Sequence, residues 1–157
     1  MAKAFRLTKT NYLSIAFTGE GAQMHGGRWN SRGVPVVYLA STRALAVLEL
    51  LVHVTDIGLL AASYSFIPVE IPDGLIERLD RKKLPAGWNT PVISGETLAL
   101  GDEWIRSGRS AILAVPSVIV ERELNYLLNP GHPDFSTIVA GKPEGFSIDP
   151  RFRSKNG

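Results

Sequence analysis

Apolar residues recur along this chain at two spacings, every second position and every third or fourth, and these periods mark out its strands and helices. Ala4 to Leu7 reads as a short first strand. Gly19, Gly21, Gly26 and Gly27 then punctuate a stretch too glycine-rich to be regular, which ends in Gly26-Gly-Arg-Trp-Asn-Ser-Arg-Gly33. Val34 to Ala40 reads as a strand with Val36 and Tyr38 on one face and Val37 and Leu39 on the other. Apolar residues on both faces imply an interior strand.

Ser41 is the expected N-cap of a helix from Thr42 to His53, a segment rich in the good helix formers Ala and Leu. At about 100° per residue, Ala44, Leu45, Val47, Leu48, Leu51 and Val52 fall on one broad apolar face. Glu49 lies at its margin, with Leu45 and Val52 as helical neighbours, so its carboxylate is expected at the rim of the core, half withdrawn from water.

Ala62 to Ile71 reads as another strand, stopped by the turn signal Pro72-Asp73-Gly74. Thr90 followed by Pro91 resembles an N-cap and first helical position, opening a helical region to Arg106 that Gly95 and Gly101 should weaken or split. Ala111 to Val115 has strand character, Glu121 to Leu128 reads as a short helix, and Asn129-Pro-Gly-His-Pro133 as a loop. Ser136 to Ala140 and Gly145 to Ile148 read as two final strands. No repeat or linker interrupts the chain, so a single domain over residues 1–157 is expected. Irregular alternation of strands and helices gives an α/β or α+β class with a mixed sheet, and favours α+β.

Composition adds exclusions. With 45% hydrophobic and 20% charged residues the chain is a folded globular protein. The net charge is +2, from 17 basic and 15 acidic residues, and the densest basic cluster, Arg78, Arg81, Lys82 and Lys83, is interrupted by Asp80. Direct nucleic-acid binding is therefore not expected. No cysteine is present, which removes disulfides, thiolate nucleophiles and Cys-based zinc sites. The longest apolar stretch, Ala111 to Val120, is broken by Pro116 and Ser117 and is too short for a membrane helix. The first seven residues lack the apolar core of a secretory signal, so a cytoplasmic location is expected.

Several familiar sites fail on spacing. Gly19-Glu-Gly21 is followed by Ala22, Gln23 and Met24, which breaks a dinucleotide fingerprint, and Gly141-Lys-Pro143 lacks the rest of a phosphate loop. His25, His53 and His132 stand 28 and 79 residues apart, so no metal site is expected. Ser117, His132 and Asp134 are a nominal nucleophile, base and orienter, yet Val-Pro-Ser-Val-Ile lacks the glycine-flanked elbow that exposes a serine.

Arg28, Tyr38 and Glu49 stand out within 22 residues. Singly, each has a plain structural reading: a loop brace, a core tyrosine, a solvated helix glutamate. Together they suit cleavage of a bond between ribose and a cationic nicotinamide ring. That ring leaves neutral, so no second carboxylate need act as general acid. Glu49 would stabilise the oxocarbenium-like transition state, Arg28 would hold pyrophosphate or ribose, and Tyr38 would stack on the nicotinamide. Other reactions also use Arg, Tyr and Glu.

Gly26-Gly-Arg-Trp-Asn30, Val36-Val-Tyr-Leu-Ala40 and Ala44 to Glu49 resemble the N-terminal signature of the RES domain family, named for an Arg, a Glu and a Ser. Val115-Pro-Ser-Val118, Asn125-Tyr-Leu-Leu-Asn-Pro130 and His132-Pro-Asp-Phe135 resemble its C-terminal signature, so the similarity runs from Phe5 to about Phe152. The resemblance implies a fold similar to ADP-ribosyltransferases, NAD⁺ as substrate with no resident cofactor, and toxicity through NAD⁺ loss. It also implies an Xre-family helix-turn-helix antitoxin and homodimeric or hetero-oligomeric assembly. Alternatives are ADP-ribosyl transfer to a protein and a non-catalytic binding module. Carried over by motif, the active-site set is Glu49, Arg28, Tyr38 and Ser117, with Ser117 orienting Glu49 or substrate. Asn125 is a further substrate-binding candidate whose plainer role is a helix cap or loop brace. Arg6, Trp29 and His53 are left as supporting or packing residues.

Overall fold

The computed structural model describes residues 1–152. Its eight strands, β1 (Ala2–Lys9), β2 (Val37–Ala40), β3 (Tyr64–Ile71), β4 (Ile76–Arg78), β5 (Ile112–Pro116), β6 (Leu124–Leu128), β7 (Val139–Ala140) and β8 (Glu144–Gly145), form one sheet. The order is β4-β5-β6-β2-β1-β3-β7, and β8 also pairs with β3. Only β4 and β5 run parallel, so the sheet is mixed. Four α-helices accompany it: α1 (Glu20–His25), α2 (Arg43–Leu51), α3 (Ile57–Ser63) and α4 (Gly95–Ser107). This is the expected α+β architecture.

β2 is the interior strand its pattern predicts, with β6 on one side and β1 on the other. Its pairing with β1 is confined to Phe5↔Ala40, whereas β1 runs beside β3 for eight residue pairs. Past that contact, the Arg6 guanidinium donates to the Tyr38 carbonyl at 3.3 Å, an oxygen that a ladder would otherwise bond, and to the Ala16 carbonyl at the end of a 3-10 turn at 3.2 Å. One apolar layer holds Ala4, Val37, Leu39, Val69, Ile112 and Leu128. A second, containing Trp29, Trp104, Leu113, Val115 and Leu127, packs α4 and the Arg28 loop on the sheet.

Where the elements depart from expectation, local or tertiary causes are visible. Residues 121–128 do not form a helix: Glu121 to Glu123 belong to a turn, and Leu124–Leu128 is β6, paired with β2 and with β5. Two flanking strands override helix propensity here, and Leu127 and Leu128 are fully buried. The glycine-rich stretch does contain a helix, α1, because Gly19 and Gly26 flank it rather than interrupt it, with φ of +76° and +72°. Helix α3 escapes the sequence reading; Asp56 caps it by accepting from the Leu59 N–H at 3.0 Å. The cap of α2 is Thr42 rather than Ser41, and that of α4 is Ser94 rather than Thr90. The short C-terminal strands are shorter than expected, since residues 133–137 form a 3-10 turn.

Helix α4 is not split. Gly101 is instead what lets it pack, because a β-carbon there would lie 1.6 Å from the Trp29 carbonyl oxygen. The apolar face of α2 is narrower than its periodicity suggests: Leu45 and Ala46 are buried, while Leu48 and Val52 are 40% and 57% exposed. The strip that touches the sheet is the one that carries Glu49 inward.

Candidate active site

Arg28, Tyr38, Glu49 and Asn125 line one cavity of about 1050 Å³, together with Arg6 and Trp29. That volume is at the upper end for small-molecule sites.

Glu49 is half-buried on α2, which packs against β1 and β2. Its Oε1 accepts from Ser117 Oγ at 2.7 Å and from Asn125 Nδ2 at 2.6 Å. Asn125 reaches it because strand register sets it opposite Ala40 on one side and Val115 on the other. Its role is therefore on a strand, holding Glu49, and not as a helix cap. Among the described residues none donates a hydrogen bond to Glu49 Oε2.

Ser117 is fully buried at the start of the β5–β6 turn and is not part of the cavity wall. Its hydroxyl donates to Glu49 and accepts from the N–H groups of Ile119 and Val120 at 3.0 and 3.1 Å. One donor and two acceptors exhaust a hydroxyl. The hydrogen bonds of this serine close the turn and reach Glu49, and none is left to face the cavity. The nominal Ser117, His132, Asp134 set does not assemble: His132 Nε2 meets the Gly108 carbonyl at 3.1 Å and its Nδ1 accepts from the Asp134 N–H.

The loop around Arg28 is closed by the bridge Gly27↔Asn30. Arg28 Nη1 donates to the Trp88 carbonyl at 3.0 Å. Burial lowers its pKa, an effect opposed by the charge of Glu49 and by Tyr38, so guanidinium and carboxylate share one field without forming an ion pair. The Tyr38 hydroxyl donates to Asn30 Oδ1 at 2.6 Å and accepts from the Trp29 N–H at 3.2 Å. Asn30, fully buried, donates onward to the carbonyls of Ala22 and Val34. The phenol end of Tyr38 thus pins the Arg28 loop while the side chain contributes to the cavity wall. Burial pushes the Tyr38 phenol well above the ordinary range, against a smaller lowering by the Trp29 N–H.

Arg6 and Asn30 are the residues whose part was underrated or missed by sequence. Burial lowers the Arg6 pKa, and among the described residues no carboxylate pairs with it; its hydrogen bonds go to two carbonyls. The available signal was an arginine inside an apolar strand, Ala4-Phe-Arg-Leu7. The cavity wall therefore carries two guanidiniums, Arg6 and Arg28, against the single carboxylate of Glu49, a balance suited to an anionic ligand. Among the described residues no group of three or more His, Asp or Glu side chains is placed to hold a metal ion. No helix among them is long and apolar enough to cross a membrane.

Comparison with known proteins bears on the family and the fold. A protein of Photorhabdus laumondii named Toxin Res is 43% identical over 148 residues, covering 94% of each chain. The Prs ADP-ribosylating toxin of a Sphingobium species is 43% identical over 147 residues, covering 92% of this chain and 91% of its own, in keeping with an ADP-ribosyltransferase-like fold. The crystal structure of the Mycobacterium tuberculosis MbcT–MbcA toxin–antitoxin complex contains a chain of similar fold, with a TM-score of 0.75 at 15% identity over 98% of this chain and 87% of that one. The model of the RES domain family matches residues 3–149, which takes in β1, the Arg28 loop, Glu49 and the Ser117 turn, and the chain belongs to that family.

Proposed function

We propose that this protein is the toxin of a toxin–antitoxin pair and that it depletes NAD⁺ by breaking the nicotinamide–ribose bond, passing ADP-ribose to water or to phosphate. The observation that carries this reading is the asymmetry of Glu49: one carboxylate oxygen is held by Ser117 and Asn125, and the other has no partner among the described residues. A carboxylate fixed in this way is preorganised, so it stabilises developing positive charge without first reorienting.

In this reading Arg28 and Arg6 hold the diphosphate, and the part of the wall formed by Tyr38 receives the nicotinamide end. As the bond to nicotinamide lengthens, its electron pair goes to the ring nitrogen and the pyridinium becomes neutral. The ribose C1′ takes on oxocarbenium character, which Glu49 Oε2 stabilises while accepting a hydrogen bond from a ribose hydroxyl. Water, losing a proton to bulk solvent, or phosphate then bonds to C1′. Every protein group named is a side chain of this chain, with NAD⁺ as substrate.

A second reading has a specific observation behind it, the relative named as a Prs ADP-ribosylating toxin. There the same site would pass ADP-ribose to a protein side chain. Incubation with labelled NAD⁺ separates the two: small labelled products support glycohydrolase or phosphorolytic cleavage, and label retained on protein supports transfer. A non-catalytic binding module gives neither. For the partner, an Xre-family helix-turn-helix antitoxin covering the cavity, with Arg28 as the group its carboxylates meet, is the arrangement we favour. Hetero-oligomers built on a homodimer belong to the same proposal. Co-expression restoring growth, with loss of NAD⁺ turnover in the purified complex, is the expected result.

A further inference from the structure

We propose that Asp102, on α4, is a positioning residue for Arg28, setting substrate affinity from outside the cavity. The proposal rests on the reading of Arg28 as a diphosphate-binding group. A guanidinium on an irregular loop can hold a ligand only as firmly as the loop itself is held. Residues 26–33 contain no regular element beyond a single bridge, so their placement depends on neighbours.

Three neighbours hold this loop, and α1 is one of them, its Ala22 carbonyl accepting from Asn30 Nδ2 at 2.8 Å and its Gln23 carbonyl from the Gly33 N–H at 2.8 Å. From β2, the Tyr38 hydroxyl accepts from the Trp29 N–H and donates to Asn30 Oδ1. From α4, Asp102 Oδ1 accepts from the Ser31 N–H at 2.9 Å, and Asp102 Oδ2 accepts from Ser31 Oγ at 2.5 Å. One helical position earlier, Gly101 admits the Trp29 carbonyl into space a β-carbon would fill. Helix α4 therefore meets the loop at residues 29 and 31, immediately after Arg28. Both Asp102 contacts are charge-assisted, the stronger class of hydrogen bond.

Neither Asp102 nor Ser31 lines the cavity, so Asp102 acts on substrate through the loop it holds and, as a charge, through the field it shares with Tyr38. Glu49 is held independently, by Ser117 and Asn125. Loosening the Asp102 contact should therefore weaken binding while sparing the bond-breaking step, a division that general destabilisation does not produce.

The experiment measures kcat and KM for NAD⁺ in wild type, Asp102→Ala, Asp102→Asn and Ser31→Ala. It also measures NAD⁺ affinity by calorimetry in each variant combined with Glu49→Gln. Asp102→Ala is expected to raise KM and Kd on the order of tenfold, with kcat within about threefold of wild type. Asp102→Asn keeps an acceptor for the Ser31 N–H and should recover most of the affinity. Ser31→Ala should fall between, and the double Asp102→Ala, Ser31→Ala variant should bind no more weakly than Asp102→Ala alone. Unchanged KM and Kd in Asp102→Ala, or a fall in kcat at constant KM as a lower folded fraction would give, overturns the proposal. Hydrogen exchange on the same variants covers the case of an inactive wild type, which would remove the proposed activity. Faster exchange over residues 27–33 with no change over 124–128 still supports the clamp, and unchanged exchange over 27–33 removes it.

Discussion

Ser117 Oγ donates a 2.7 Å hydrogen bond to Glu49 Oε1 from a fully buried position behind the cavity wall. The hydroxyl also receives two main-chain N–H groups, so Ser117 joins the β5–β6 turn to the proposed catalytic carboxylate. Ser117→Ala should therefore act twice. Leaving the N–H groups of Ile119 and Val120 unpaired should lower stability by about 1–3 kcal/mol. A less restrained Glu49 should lower kcat about tenfold or more with little change in KM. Asn125→Ala removes the other donor to Oε1 and should lower kcat similarly, with a smaller stability loss of about 1 kcal/mol. Steady-state kinetics and urea denaturation check both, and an unchanged kcat in either variant would contradict the positioning role.

Tyr38→Phe keeps the ring and deletes the hydroxyl that joins Trp29 to Asn30. If the hydroxyl places the Arg28 loop, KM for NAD⁺ should rise on the order of tenfold, and stability should fall by about 1–3 kcal/mol because buried Asn30 loses its donor. If the ring alone matters, KM should stay at the wild-type value.

The same pair of proteins gives a pH test. An unfolded tyrosine titrates at about pH 10, whereas burial holds Tyr38 well above that. Between the two values the unfolded chain has lost a proton that the folded chain retains, so stability falls as pH rises through this window. Below about pH 10 Tyr38 contributes no pH dependence. Wild type should lose more stability than Tyr38→Phe above about pH 10, narrowing the difference between them. Denaturation midpoints across the alkaline range read this directly, and parallel curves for the two proteins would show that the phenol is not buried as described.

Arg6 carries a charge that burial disfavours and that no carboxylate offsets among the described residues. Arg6→Gln retains a donor for the Ala16 or Tyr38 carbonyl, so its stability should lie within about 1 kcal/mol of wild type. Affinity for ADP-ribose should drop by about tenfold, and its decline with salt should become shallower. Calorimetry at two ionic strengths tests this; equal affinity for ADP-ribose would place the diphosphate elsewhere.

Two glycines of α4 should respond oppositely to alanine. At Gly101 the new β-carbon meets the Trp29 carbonyl oxygen, and a loss of about 3 kcal/mol or more is expected. At Gly95 nothing lies within 4 Å, so the substitution should stabilise by up to about 1 kcal/mol. Thermal melts of the two variants check the close packing of α4 on the Arg28 loop.

Arg28 and Glu49 were legible in the sequence because their signals are local, a guanidinium between glycines and a carboxylate at the edge of an apolar helix face. Asn125 was visible only as part of a motif. Its segment carries Glu and Leu residues that suit a helix, and its reach to Glu49 exists only in the strand register set by β2 and β5. Asp102 gave no signal, because its partner Ser31 lies 71 residues away and only the packing of α4 joins them. Arg6 was visible as a charge in an apolar strand, yet nothing local tells that β1 and β2 share one pair and leave the Tyr38 carbonyl to the guanidinium.

The most direct measurement is nicotinamide released from NAD⁺ by the purified protein, alongside Glu49→Gln, a variant that retains the shape of the side chain without its charge. The account requires steady nicotinamide release by wild type and a loss of at least about a hundredfold in the variant. Equal rates for the two, or no release by a folded wild-type protein free of partner, would contradict it.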